Sequence, residues 1–135
     1  MTMLEAILAR HSVRAYREQP IDAEIVDRLR AEIAQCNEEG RLHLQLITGE
    51  PDAFGGFMAH YGKFTGVHNY IALVGKKSRD LDERLGWYGE RIVLLAQMLG
   101  LNSCWVGLTF SRGQAKKNIL LDKGEELRAV IALGY

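Results

Sequence analysis

Arg10, Ser12 and Arg14 occupy alternate positions in the run Arg10-His11-Ser12-Val13-Arg14, which is followed by Ala15-Tyr16. In an extended chain all three side chains project from one side of the backbone. Two permanently charged guanidinium groups around a hydroxyl then make a site for phosphate or carboxylate, and each hydrogen bond to a charged group contributes about 1.5–3 kcal/mol. Extended geometry separates Arg10 from Arg14 by roughly 13 Å, against about 6 Å in a helix. The longer spacing reaches both ends of one phosphorylated ligand. The competing reading is structural, because arginines just past a helix C-terminus meet the negative end of its dipole.

A second stretch with possible chemistry is Asn102-Ser103-Cys104-Trp105-Val106-Gly107-Leu108-Thr109-Phe110. A glycine among bulky apolar residues leaves backbone N–H groups open to a planar ligand, and a plain strand terminus explains it as well. Cys104 has no histidine placed beside it and apolar neighbours on both sides, which marks it as a buried, inert thiol. His11, His43, His60 and His68 show no metal-type spacing, so no metal site is expected. Phosphate-loop, Gly-x-Ser-x-Gly and Gly-x-Gly-x-x-Gly motifs are all missing, and the carboxylates are scattered over solvated helix faces.

The elements that must position these residues follow from local patterning. Thr2-x-x-Glu5 is a capping box, and Leu4, Ile7 and Leu8 follow at helical spacing, so a first helix runs to about Arg10. Pro20-Ile21-Asp22 restarts the chain, with Asp22 as N-cap of a second helix. That helix buries Ile25, Leu29, Ile33 and Cys36, and Gly40 suits the left-handed position after its end. Residues 42–46 alternate as a strand with one wet face, on which His43 meets solvent. Gly49-Glu50-Pro51-Asp52 turns the chain, and residues 53–66 read as an irregular aromatic and glycine-rich loop. Residues 70–74 are uniformly apolar, a strand buried on both faces.

From Asp80, the residues Leu81, Leu85, Tyr88, Ile92, Leu95 and Leu99 repeat at steps of four and three until Gly100, marking a long core helix. Gly86 and Gly89 cost this helix about 1 kcal/mol each relative to alanine, so another group is expected to approach closely there. An extended segment over 101–109, a brief helix capped by Ser111-x-x-Gln114, a turn at Asp122-Lys123-Gly124 and a central strand over 127–133 complete the pattern. Such a strand needs cover and pairing, yet the chain stops two residues later. The expectation is one domain, 1–135, truncated after the strand ending near Leu133, or else completed by a partner subunit.

Seventeen basic residues against seventeen acidic ones leave no net charge, which argues against a broad nucleic-acid or membrane footprint. Cys36 and Cys104 belong to no Cys-x-x-Cys pair, no apolar run approaches a membrane span, and the N-terminus lacks a signal-type core. A cytoplasmic protein is expected.

Taken in order, these features resemble the nitroreductase family of FMN-dependent oxidoreductases. Ala6-Ile7-Leu8-Ala9-Arg10-His11-Ser12-Val13-Arg14-Ala15-Tyr16 is similar to that family's N-terminal signature, and Leu99-Gly100-Leu101-Asn102-Ser103-Cys104-Trp105-Val106-Gly107-Leu108 is similar to its block leading from the central helix into the flavin-facing loop. The family's Ser-x-x-Asn-x-Gln-Pro after the second helix is replaced here by Gln35-Cys36-Asn37-Glu38-Glu39-Gly40, which resembles a divergent branch.

The resemblance implies an α+β fold, with a mixed, largely antiparallel sheet flanked by helices, in a homodimer that binds FMN at its interface. Arg10 and Ser12 would hold the phosphate and ribityl end with the His11 backbone alongside. Arg14 would lie toward the flavin pyrimidine edge, where a cation stabilises reduced flavin. Gly107 and Leu108 would match the loop whose backbone N–H faces flavin N5. No side chain is then catalytic, since the flavin carries reducing equivalents from NAD(P)H to a small acceptor such as a nitroaromatic or quinone. The alternative from another class is a non-catalytic module of the same fold that binds flavin weakly or not at all and acts in assembly.

Overall fold

A computed structural model describes residues 1–50, 64–107 and 118–135. Helix α1 (Met3–Ala9) begins with the expected capping box: Thr2 Oγ1 accepts from Glu5 N–H, and Glu5 in turn accepts from Thr2 N–H. Helix α2 (Ala23–Gly40) starts after Asp22, whose side chain makes no capping hydrogen bond. Strand β1 (Gln45–Ile47) and strand β2 (Asn69–Lys76) precede helix α3 (Leu81–Met98), and strands β3 (Asn102–Val106) and β4 (Glu125–Gly134) follow it. The predicted turn beyond Glu50, most of the 53–66 loop and the brief helix after Ser111 lie outside the described residues.

The four strands form one antiparallel sheet in the order β1-β2-β4-β3. Period-two alternation sends Ile71, Leu73, Ile131 and Leu133 against α2 and α3, and Tyr70, Ala72, Val74 and Val130 to the opposite face. A register break between Leu73 and Val74 sets Arg128 between the partners of those two residues. Leu127 consequently joins the face of Val130, three residues away, which an unbroken alternation would forbid. β4 is paired on both edges, by β2 and β3.

One sequence expectation fails at the end of α2, and the face of α1 is turned by a similar cause. Gly40 is the last residue of α2, and Arg41 takes the left-handed conformation with φ 53°. Glycine is required at position 40 by packing instead, since a Cβ there would lie 2.6 Å from the Tyr88 ring of α3. On α1 the apolar residues do not pack inward: Ala6 is buried, whereas Met3, Leu4, Ile7 and Leu8 are exposed, Leu8 by 79%. In both cases the neighbour across the helix decides, and local patterning is blind to it.

Candidate functional site

After α1 the chain runs extended, beginning with Arg10 at φ −63° and ψ 139°, and lies along the outer edge of β3. Val13 N–H donates to Ser103 O at 3.0 Å, and Ser12 and Ser103 form a parallel bridge. Further on, Tyr16 N–H donates to Thr65 O and Thr65 N–H to Arg14 O, each at 2.9 Å, while Arg17 N–H reaches Tyr135 O. Tyr16 pins the segment down. Its ring fills the space a side chain would need at Gly134, and at Gly66 (φ +70°) a Cβ would collide with the Tyr16 carbonyl. Burial is the main reason the Tyr16 phenol titrates far above its usual range, with the neighbouring Cys104 adding to the shift and Arg14 opposing it.

This stitching sets the phase of the motif. Val13 and Tyr16 turn toward the core, and His11, Ser12 and Arg14 are exposed. His11 Nδ1 lies 3.1 Å from Ala9 O. Arg10 is half-buried, and its Nε and Nη2 are shielded from solvent with no hydrogen-bond partner among the described residues. Among the described residues its carboxylate neighbour is Glu90 of α3, whose Oε1 is 3.9 Å from Nε. Glu90 Oε2 accepts from Trp105 Nε1 at 2.8 Å, so α3 links the arginine segment to β3.

Gly107 follows β3 and is exposed, with open space where a Cβ would stand. It lies four residues beyond Ser103, roughly 13 Å along an extended chain. Ser103 turns its carbonyl to the outer edge, and strand periodicity gives Trp105 the same phase. Gly107, Gly86, Trp105, Asp82 and Arg128 line a mainly apolar cavity of about 270 Å³. Of the residues expected to act together, Ser12 bridges Ser103 near the start of β3 and Gly107 follows its end, while the Arg14 carbonyl accepts from Thr65 N–H; Leu108 lies outside the described residues.

Sequence reasoning expected close approach at both helix glycines. At Gly89 it holds, because a Cβ would lie 2.7 Å from Trp105 Cη2; at Gly86 nothing stands within 4 Å and the space belongs to the cavity. Glu90 was not anticipated. The only local signal was its place next to Gly89, since its partners are 15 and 80 positions away along the chain. Cys104 is buried as expected.

Shielded guanidinium donors without a hydrogen bond cost free energy unless an anion or water satisfies them, so the Nε and Nη2 of Arg10 fit an anionic group of a ligand. The fold is that of the nitroreductases. The chain superposes on an FMN-dependent nitroreductase from Clostridium difficile R20291 with a TM-score of 0.79 at 15% identity, covering 98% of this chain and 86% of that one. It superposes on a nitroreductase with bound FMN from Bacteroides fragilis NCTC 9343 with a TM-score of 0.76 at 19% identity, covering 100% and 88%. For a protein from Parabacteroides distasonis ATCC 8503, described as "Putative NADH dehydrogenase/NAD(P)H nitroreductase", the values are 0.75, 23%, 98% and 86%.

Residues 2–135 match the family described as "Putative TM nitroreductase", and the chain belongs to that nitroreductase family. Its class is therefore oxidoreductase. No curated protein matches the chain. No described helix is long and apolar enough to cross a membrane.

Proposed function

We propose that this protein binds FMN along the outer edge of β3, as a homodimer, and passes reducing equivalents from NAD(P)H to a small acceptor such as a nitroaromatic or quinone. The observation that carries the reading is the Arg10 guanidinium, whose shielded Nε and Nη2 make no hydrogen bond among the described residues, near a strand that ends at an open glycine. Arg10 and Ser12 hold the phosphate end, with the His11 backbone alongside, and Arg14 supplies positive charge toward the pyrimidine edge. Gly107 and Leu108 present backbone N–H groups at the reacting end. When bound, FMN supplies the hydride and electron chemistry, which the side chains do not. The relatives with FMN in their names support this cofactor, and the NADH and NAD(P)H names of others support the donor.

Two features favour a second copy of the chain as the other wall. A cavity of about 270 Å³ falls below the range of about 300–1,000 Å³ usual for ligand sites, so the described residues of one chain do not enclose a flavin. Nearby, α1 packs on α3 yet exposes Met3, Leu4, Ile7 and Leu8, and Trp87 of α3 is 74% exposed. An apolar surface of that kind marks an interface.

Purified protein is expected to retain FMN after gel filtration, to elute as a dimer and to oxidise NAD(P)H when an acceptor is added. Leu8→Glu alters an exposed position and should cost the dimer and the FMN together. A folded protein that stays colourless with excess FMN would end the proposal, and a Leu8→Glu monomer that retains FMN would end its dimeric part.

A further inference from the structure

We propose that His43, Asp122 and Glu125 bind a divalent transition-metal ion of the zinc type, at the end of the sheet remote from the arginine segment. One ligand atom from each residue lies within 4.8 Å of the other two. The residues come from three places: His43 just before β1, Asp122 in the turn before β4, and Glu125 at the start of β4. His43 does not simply face solvent as its alternation with leucines implied, for Nδ1 lies 2.8 Å from Glu125 Oε1, 82 positions away. Only the pairing of β1 and β4 on either side of β2 creates this meeting, which is why histidine spacing gave no hint of it.

The donor set selects the ion. One imidazole with two carboxylates suits zinc and its neighbours, whereas magnesium and calcium favour oxygen alone. Ligands at about 2.0–2.1 Å in a tetrahedron stand about 3.4 Å apart, so the His43–Glu125 pair need open by only about 0.6 Å to admit an ion, at a carboxylate oxygen that also accepts from Asp122 N–H at 2.8 Å.

The ligand carriers are tied down independently of any ion. His43 N–H donates to Val74 O at 2.9 Å and Lys77 N–H to Gly124 O at 3.0 Å. The Gln45 side chain clamps both backbone groups of Leu120, two residues before Asp122, at 2.7 and 2.8 Å. Such outer bonds preorganise a metal site. The Glu125 side chain is only 8% exposed, while Asp122 is open to solvent and gives an approach. A cavity of about 470 Å³, lined in part by His43, Gln45 and Asn118, opens beside the imidazole.

Ser103 pairs with Leu133, and Glu125 lies eight residues from Leu133 along β4, about 26 Å away. An ion there would cross-link a corner of the sheet and would not touch the proposed flavin edge.

The test uses the whole chain, stripped with EDTA and titrated with zinc chloride by calorimetry and thermal melting, with cobalt(II) as a spectroscopic substitute. One equivalent of zinc should bind and raise the melting midpoint, and cobalt should give a ligand-field spectrum of mixed nitrogen and oxygen coordination. His43→Gln and Asp122→Asn should each weaken binding about tenfold or more, and His68→Gln should leave it unchanged. Far-UV circular dichroism and FMN retention, measured on every variant, separate loss of the ion from loss of the fold or of the flavin site. Absence of binding with zinc in large excess, or binding that both His43→Gln and Asp122→Asn leave intact in folded protein, overturns the proposal.

Discussion

Arg91 and Arg10 both meet α3, one from within it and one from beside it, and their surroundings are opposite. Arg91 donates from Nε to Glu32 Oε1 at 2.6 Å and from Nη1 to Glu39 Oε2 at 2.8 Å, joining α3 to α2. These hydrogen bonds push the Arg91 pKa still higher and hold the Glu39 carboxyl below its ordinary value. Arg10, with its side chain 22% exposed, has a carboxylate no nearer than 3.9 Å and makes no side-chain hydrogen bond among the described residues. The first arginine is committed to the fold, and the second leaves two donors without a hydrogen bond among the described residues. Fractional burial would not have told them apart; satisfaction of the donors does.

The sharpest way to break that contrast is Arg10→Ala. Loss of one hydrogen bond to a charged group, about 1.5–3 kcal/mol, predicts FMN affinity lower by about 10- to 150-fold with little change in melting temperature. Arg91→Ala should behave in reverse, lowering the melting midpoint by a few degrees and leaving FMN affinity alone. Fluorescence titration and thermal melting of both variants would show whether the two responses exchange.

The same division runs along α3 at its glycines. Gly89→Ala drives a methyl into Trp105 and should destabilise by about 1–3 kcal/mol, whereas Gly86→Ala meets open space and should stabilise the flavin-free protein by up to about 1 kcal/mol. Equal effects in urea denaturation would refute the assignment of one glycine to packing and the other to the cavity. Within the arginine segment, Arg14→Ala should weaken flavin retention more than Arg17→Ala, because Arg14 alone of the two keeps the alternating phase. Equal flavin absorbance after gel filtration would remove Arg14 from the site.

The smallest effect is one of pH. Glu39 has a folded pKa below its unfolded value of 4.5, so its contribution is present above that value and is lost as pH falls through the folded pKa. Stability measured from pH 5 downward should decline, and Glu39→Gln should make the decline slightly shallower, since an exposed pair is worth little.

Much of this was legible in the sequence where the controlling interaction is local. The capping box at Thr2, the doubly buried β2 and the end of α3 at Gly100 all depend on residues a few positions apart, and all stand as read, whereas the strand expected over 42–46 forms only at Gln45–Ile47, although Leu42, Leu44 and Leu46 are buried as its alternation implied. The extended course of the arginine segment was legible for the same reason, since the alternation that suggested it exists in the chain before it folds. Gly40, the outward face of α1, Glu90 and the company of His43 were not legible. Each is decided by a group from another element: the Tyr88 ring, the flank of α3, Arg10 with Trp105, and Glu125.

What the sequence determined alone was a set of periodicities and caps, together with the order of an arginine-containing segment, a long helix and a glycine after a strand. Only the tertiary structure decided that Ser12 bridges β3, that Arg10 keeps two shielded donors without a hydrogen bond among the described residues while Arg91 is paired twice, and that a histidine finds two carboxylates at the far corner. The physical reason is that side-chain satisfaction is a property of pairs, and chain order leaves pairs separated by dozens of residues unspecified until the sheet closes.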